Sequence, residues 1–414
     1  MESLLGDALT LNSELGRLDP KSPRYAVEAV ESILAQARRA NASDVHLHPT
    51  PEGLELRTRV DGVLHLFGIL PASVAPNVVA RLKVLADLLT YRSDLPQEGR
   101  VRSLPGVSEV RVSTFPTLHG ERAVVRLFAG SGRFLHLADL GLPDDALKPL
   151  VHLLDETSGA IVLSGPAGSG KTTTIYACLR DLVRDGAGGR GLATLEDPIE
   201  GAVAGVSQSQ VNPSAGFDLA TGLRSILRQD PEVLVVGEVR DRLTAEIAFQ
   251  ASLTGHLVLT TFHAGSASGA VGRLLDMGIE PYLLRSGLLA VLSQRLARRL
   301  CPACVTDDLD PLAALGLPVQ RPRKGLGCEA CRGSGFSGRL VLAELLLPEP
   351  HGIGQSILDR RDVREIERIA IGKGLVGRWR RAIDACEQGL TSPREVRRVL
   401  GFSDDPLDCL GQKS

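Results

Sequence analysis

Residues Gly165-Pro166-Ala167-Gly168-Ser169-Gly170-Lys171-Thr172 complete a G-x-x-x-x-G-K-[ST] loop. The apolar run Ile161-Val162-Leu163 precedes it, and a helical pattern from Thr172 to about Arg184 follows. A loop of this kind works only between a strand and a helix, so the motif constrains the fold around it. Its glycines permit tight backbone turns, and its N–H groups, with the positive end of the helix, cradle phosphate oxygens. Lys171 is expected to neutralise the β/γ charge of a nucleoside triphosphate and Thr172 to bind Mg²⁺, with Thr173 next to them on the helix.

The surrounding texture agrees with a parallel sheet. Val233-Leu234-Val235-Val236 and Leu257-Val258-Leu259 are short, fully apolar runs, each bounded by a turn. Such runs fit strands buried on both faces under helices. Before this region the pattern differs. Ala26 to Arg39 reads as an amphipathic helix, and Val45 to His48 and Leu54 to Val60 alternate as strands, with Asp61-Gly62 as a hairpin turn. A second helix is expected over Val78 to Leu89, then strands over Ser108 to Phe115 and Glu121 to Phe128.

The segments divide as an N-terminal arm (1–22), a small mixed α/β domain (23–128), a Gly-rich linker (129–143) and an α/β domain (144–300). A cysteine-bearing insertion (301–338) and a C-terminal helical part (339–405) follow. The last helix has a clear start, with Ser392 as N-cap, Pro393 in the first turn and Glu395 three residues after the cap.

A phosphate site needs a water-activating group. Gly237-Glu238 follows the Val233–Val236 run, so Gly stands where an Asp is usual and Glu238 lies at the carboxyl end of a buried strand. Ligands bind at that edge of open α/β sheets. Glu238 is therefore the candidate to orient or deprotonate the attacking water, against the alternative of a surface Glu ending a strand. Glu196, after Leu192–Leu195, has the same placement and is the candidate second carboxylate for Mg²⁺; Asp197 is a site residue or a turn former before Pro198. His256 and His263 flank the Leu257–Leu259 strand, and His263, at the carboxyl end, is a candidate γ-phosphate sensor or a structural histidine. Arg224 and Arg228 are four apart on an expected helix from Leu219 to Gln229. They form a solvated basic face, or reach phosphate or a neighbouring subunit.

Four of the seven cysteines form two tight pairs, Cys301-x-x-Cys304 and Cys328-x-x-Cys331, about two dozen residues apart. The other three, Cys178, Cys386 and Cys409, are isolated. Two such knuckles read as a four-thiolate zinc site, structural because no coordination position stays open.

Composition narrows the function class. Lys and Arg total 47 against 49 Asp and Glu, and aromatic residues are 3%. A chain that coats nucleic acid usually carries a basic excess and stacking aromatics. No direct nucleic-acid partner is therefore expected. No apolar run reaches the ~18 residues of a membrane span, and the acidic start lacks the positive residues of a signal peptide. A cytoplasmic protein is expected.

Several stretches together resemble the secretion ATPases, the motors of bacterial type II secretion and type IV pilus systems. They include the loop above, TLEDPIE (194–200), LRSILRQDPEVLVVGEVRD (223–241) and GHLVLTTFH (255–263). The likeness extends through ASDVHLHP (42–49), RLKVLADL (81–88), LPQEGR (95–100), RVSTFPTLHGERAVVRLF (111–128), QRLARRLCPAC (294–304) and CEACRGSGFSGR (328–339). The resemblance implies a PAS-like first domain and a RecA-like P-loop ATPase domain carrying a zinc-binding insertion. It implies a homohexameric ring that hydrolyses ATP and works against inner-membrane platform and docking proteins, held at the membrane through them. It also implies that Arg111 and Arg126, with Arg100 as a weaker candidate, reach the phosphates when domains close. The cysteines favour the secretion or pilus-assembly branch over the retraction branch. The primary expectation is a type II secretion motor; a type IV pilus-assembly or DNA-uptake motor is the alternative. An ATP-binding scaffold and a DNA-handling motor are the competing classes. Three departures stand out: few residues precede Pro23, His48 replaces the family's Glu, and Ala264-Gly265-Ser266 replaces its Thr-Asn-Asp.

Overall fold

A computed structural model describes residues 15–101, 109–128, 134–185, 189–349 and 351–402. Most of the expected arm, residues 129–133 of the expected linker, positions 403–405, Ser108 and Cys409 lie outside the described residues. The chain forms two compact units. The first comprises 1–131 with 301–304 and 326–338; the second comprises 132–300, 305–325 and 339 onward.

In the first unit, α1 (Tyr25–Arg39) is followed by β1 (Asp44–Thr50), β2 (Gly53–Val60) and β3 (Val63–Leu70). Then come α2 (Ala75–Leu85), β4 (Gln97–Val101), β5 (Glu109–Thr117) and β6 (Gly120–Phe128). The strands make one antiparallel sheet in the order β3-β2-β1-β6-β5-β4. Asp61 and Gly62 both have positive φ, 47° and 82°, as a two-residue type I′ hairpin requires. Helix α2 starts earlier than its apolar pattern suggests, with a Pro in its first turn, and ends earlier because Asp87 takes a left-handed conformation at φ 56°. Helix α1 buries Ala29, Val30, Ile33, Leu34 and Ala37 in the same core as Val45, Leu47, Leu54 and Leu56 of the sheet. The fully buried Lys83 ammonium donates to Arg92 O at 2.7 Å and to both Glu121 carboxylate oxygens at 2.9 and 3.0 Å. That ion pair ties α2, the 86–96 loop and β6 together.

The second unit begins inside the expected linker, and its described part, 134–143, is packed rather than loose. Leu137 is buried, and His136 Nδ1 lies 2.5 Å from Asp181 Oδ1. The elements that follow are α3 (Asp144–Leu153), β7 (Gly159–Ser164), α4 (Lys171–Asp185), β8 (Leu192–Glu196) and β9 (Ser207–Gln210). Then come α5 (Leu219–Ile226), β10 (Val233–Val236), α6 (Arg242–Leu253), β11 (Leu257–Phe262), α7 (Ala267–Asp276) and α8 (Pro281–Gly287). The unit continues with β12 (Leu288–Leu300), β13 (Val305–Asp307), β14 (Arg323–Gly325) and β15 (Phe336–Leu346), whose first three residues group with the first unit. Helices α9 (Ile353–Leu358), α10 (Val363–Gly372), α11 (Arg378–Glu387) and α12 (Pro393–Leu400) close the chain.

The main sheet runs β15-β12-β7-β11-β10-β8-β9, with the six strands from β12 to β9 mutually parallel. One strand, β11, separates the phosphate-loop strand β7 from β10, the strand that leads to Glu238. Alternate residues of each run enter two different cores. Val162, Leu234, Val236 and Val258 face one; Ile161, Leu163, Val233, Val235 and Leu259 face the other. Burial on both faces explains the unbroken apolar runs. The expected C-terminal helical part departs in one respect: its opening residues belong to strand β15. Ser392 caps α12 by accepting the Glu395 N–H at 3.2 Å, as its sequence indicates.

Candidate active site

The six parallel strands of the main sheet end at the same edge, and that edge gathers the phosphate loop, Glu238 and His263. Gly165 sits at φ +148°, where a Cβ would come within 2.5 Å of both the Gln294 carbonyl oxygen and Ser169 Oγ. Only glycine fits there. Gly168 and Gly170 also have positive φ, 73° and 95°, and carry the backbone through Ser169 to the start of α4. The Lys171 ammonium donates to the Gly165 and Pro166 carbonyls at 2.7 and 3.0 Å. Burial lowers its pKa; the carboxylates of Glu238 and Glu200 oppose that shift, while Arg295 adds to it. Thr172 is half-buried and Thr173 exposed in the first turn of α4, while Thr174 turns inward and accepts from Gln294 Nε2 at 3.0 Å.

Four buried polar atoms beside this loop have no hydrogen-bond partner among the described residues: Ser164 Oγ, Ser169 Oγ, Gln294 Oε1 and Arg295 Nη1. Buried polar groups are normally paired, and an unpaired one costs free energy. The two hydroxyls and the guanidinium nitrogen are donors suited to an anionic ligand, whereas Gln294 Oε1 only accepts and needs a donor.

Glu238 follows β10 at its carboxyl end. Its Oε1 lies 2.8 Å from His263 Nε2, and its Oε2 accepts from Arg240 Nε at 2.8 Å with Arg240 Nη2 2.7 Å away. Gly237 replaces the usual Asp where space is short: a Cβ would meet Glu196 Cα at 3.2 Å and the Leu195 carbonyl oxygen at 3.3 Å. His256 lies at the other end of β11, with Nδ1 3.1 Å from the Ala251 carbonyl, which supports its structural reading.

The structure departs from the sequence expectation at Glu196. Its carboxylate is buried and accepts from the Tyr176 hydroxyl (2.6 Å), the Thr194 hydroxyl (2.6 Å) and Gln208 Nε2 (3.2 Å). Both oxygens are occupied. The Tyr176 hydroxyl in turn accepts the Glu200 and Gly201 N–H groups at 3.1 and 3.3 Å, so the network shapes residues 196–201. Burial, followed by the Glu196 carboxylate, raises the Tyr176 pKa and keeps its hydroxyl a donor. Glu200 was not among the sequence candidates, yet its charge acts on Lys171. The only sequence signal was a third acidic residue in TLEDPIE. Asp197 acts on Arg240.

Arg224 and Arg228 are both exposed on the α5 side. Arg228 folds back to donate to the Arg224 carbonyl (2.9 Å) and Ser225 Oγ (3.2 Å). These contacts favour the solvated reading within one chain.

In the first unit, the register sets Arg100 opposite Arg111 and Arg111 opposite Arg126, on three adjacent strands. Their neighbours Val110, Val112, Val125 and Leu127 are buried, so alternation turns these arginines away from the core. Asp44, opposite Arg126 and Arg59, continues the row; it lies 3.1 Å from Arg126 Nε and 3.4 Å from Arg59 Nε.

The four knuckle cysteines also meet in the first unit. Their sulfurs all lie within 4.8 Å of one another, with separations of 3.9, 3.8 and 3.7 Å for three pairs. Four sulfurs about 2.3 Å from a central tetrahedral ion would be about 3.8 Å apart, so the cluster fits zinc. Burial pushes the Cys331 thiol up, but N–H donation from Cys328 and Gly335, with the neighbouring Cys328 and Cys304 side chains, outweighs it and brings it to about 7. The knuckle groups with the first unit through Arg332 Nη2 to the Arg39 carbonyl (3.1 Å) and Gly338 N–H to Asp61 Oδ2 (3.0 Å). Among the described residues no helix is long and apolar enough to cross a membrane.

A family profile described as "Type II/IV secretion system protein" matches residues 21–398. The type II secretion system protein E of Pseudomonas aeruginosa is 41% identical over 405 residues, covering 95% of this chain and 79% of that protein. The type IV pilus assembly ATPase PilB of Thermus thermophilus is 38% identical over 381 residues, covering 90% of this chain but 42% of that longer protein. Among solved structures, the ATPase DotB of Legionella pneumophila superposes with a TM-score of 0.64 at 20% identity, over 89% of this chain and 94% of that one. That likeness concerns the fold. With the profile spanning nearly the whole chain and relatives near 40% identical, this protein belongs to the type II/IV secretion system protein family.

Proposed function

We propose that this chain is an ATP hydrolase that powers a type II secretion system, working as a homohexamer on inner-membrane platform and docking proteins from the cytoplasmic side. The observation that carries the reading is the convergence of the phosphate loop, Glu238 and His263 at the ends of strands β7, β10 and β11. The P-loop N–H groups and Lys171 bind the phosphates, and the Thr172 hydroxyl is the protein ligand for Mg²⁺. When bound, Mg²⁺ neutralises charge on the β- and γ-phosphates. Glu238 orients and deprotonates the attacking water, and His263 holds Glu238 and senses the γ-phosphate. A second carboxylate for the metal comes from Glu196, at the end of β8, or from Glu200 in the turn after it; donors from Tyr176 and Thr194 enclose Glu196, and Glu200 acts on Lys171.

Residues 23–128, within the first unit, act as a PAS-like domain that brings Arg111 and Arg126 to the phosphates, with Arg224 and Arg228 serving at the interface between copies. The tetracysteine stretch, 301–338, holds structural zinc. The type II reading is preferred because that relative is matched over 79% of its length and the pilus-assembly relative over 42%. The latter's 38% identity keeps pilus assembly as the second reading.

The test is specific ATPase activity against protein concentration, with particle size measured on the same samples. Activity that rises as hexamers form supports the shared-site motor. Flat activity from a monomer removes the arginine assignments. Rescue of pilus assembly rather than protein export in a strain lacking the chain moves the reading to the pilus.

A further inference from the structure

Strand β12 runs parallel to β7, with Ser293 opposite Ser164. The next two residues, Gln294 and Arg295, therefore flank the first turn of the phosphate loop. Gln294 directs its amide to Thr174. Arg295 uses one nitrogen: Nη2 donates to the Gly265 carbonyl at 3.0 Å, in the turn just after His263. Its other terminal nitrogen, Nη1, is buried and has no partner among the described residues.

This guanidinium is poorly compensated. Burial and the neighbouring Arg378 depress its basicity, and only Glu344 opposes them. The Glu344 oxygens are themselves engaged. Oε1 accepts the Ala267 N–H at 2.6 Å; Oε2 accepts the Arg378 backbone N–H at 3.0 Å and lies 3.5 Å from Arg378 Nη1. Arg295 also repels Lys171. Arg295 thus adds a second cation, with an unused donor, to Lys171 at the carboxyl ends of β7 and β11. An anion that accepts from both resolves the repulsion and pairs the donor.

We propose that Arg295 is an intrachain phosphate-binding residue that contacts the terminal phosphate of ATP through Nη1 while Nη2 holds the Gly265 turn. The inference rests on the ATPase reading and adds a cation from the same chain. It gives His263 a mechanical link to the phosphate, because the guanidinium that binds the anion also grips the turn next to that histidine.

The experiment measures the affinities of ADP and of a non-hydrolysable ATP analogue for the full chain, with Arg295→Gln and Arg295→Lys beside the unsubstituted protein. A contact to the terminal phosphate predicts that Arg295→Gln loses roughly 10- to 100-fold in affinity for the ATP analogue, the worth of one charge-assisted hydrogen bond. ADP affinity stays close to that of the unsubstituted protein, and Arg295→Lys recovers part of the loss. Equal loss for both nucleotides, or loss for neither, overturns the proposal and leaves Arg295 as a support for the Gly265 turn. If Arg295→Gln does not fold, the ratio of the two affinities in Arg295→Lys decides: an unchanged ratio overturns the proposal. Failure of the unsubstituted protein to bind either nucleotide overturns the ATPase reading instead, and with it this inference.

Discussion

The imidazole of His263 and the carboxylate of Glu238 meet at 2.8 Å, each from the carboxyl end of a neighbouring parallel strand. The other Glu238 oxygen is held by Arg240. Each oxygen therefore has a close partner on one side, the positioning a group needs to align one water.

Glu238→Gln keeps the size of the side chain and removes its basicity. ATP binding is expected to stay close to that of the unsubstituted protein, while kcat falls roughly 100- to 10,000-fold, the usual worth of a positioned base. Steady-state kinetics with a separate nucleotide-binding measurement checks both parts. Undiminished kcat would move the base to another carboxylate, Glu200 first.

The edge that carries this pair was legible because strands buried on both faces leave unbroken apolar runs, as at Val233–Val236 and Leu257–Leu259. Strand β12 was not. Its sequence, LLAVLSQRLARRL, is rich in Leu, Ala and Arg, all good helix formers. It is a strand because it lies between β7 and β15 in the sheet, a tertiary preference that local pattern does not carry. Gln294 and Arg295 were missed with it. The surroundings of Glu196 were hidden for a different reason: its strand-end position matches that of Glu238, but the Tyr176, Thr194 and Gln208 donors that enclose it come together only in the fold.

Cys328→Ser removes one corner of a four-sulfur cluster. Bound zinc per chain, measured by atomic emission after dialysis, is expected to fall well below that of the unsubstituted protein, with faster amide exchange confined to 301–304 and 326–338. Equal zinc in both proteins would end the four-thiolate assignment.

Lys83 is wholly buried and its charge is answered by Glu121. Lys83→Met leaves that carboxylate enclosed without its cation, which is expected to destabilise the first unit by about 3–5 kcal/mol. Adding Glu121→Leu is expected to restore much of the loss, since replacing both partners avoids an uncompensated charge. Denaturant titration of the single and double variants reads the difference; equal destabilisation in both contradicts the pairing argument.

Arg111 and Arg126 face each other on β5 and β6, with Arg59 further along the same row. If the row delivers cations to ATP, Arg111→Ala and Arg126→Ala each lower kcat roughly 100- to 1,000-fold, the cost of losing one transition-state donor. Arg59→Ala leaves it near that of the unsubstituted chain. A uniform small effect across all three would indicate a general charge contribution of the sheet face.

Tyr176 tests whether the segment from Glu196 to Gly201 is positioned from α4. Its hydroxyl donates to Glu196 and accepts the N–H groups of Glu200 and Gly201. Tyr176→Phe keeps the ring and deletes all three contacts. The buried Glu196 oxygen loses a donor, which costs about 1–3 kcal/mol. If Glu200 faces the metal, freeing its backbone also lowers kcat and raises the Mg²⁺ concentration needed for half-maximal activity. A stability loss with an unchanged Mg²⁺ requirement would restrict the network to holding the fold. Conversely, Glu200→Gln with normal Mg²⁺ dependence would remove Glu200 from the site even if Tyr176→Phe is impaired, so the two variants together separate the anchor from the ligand.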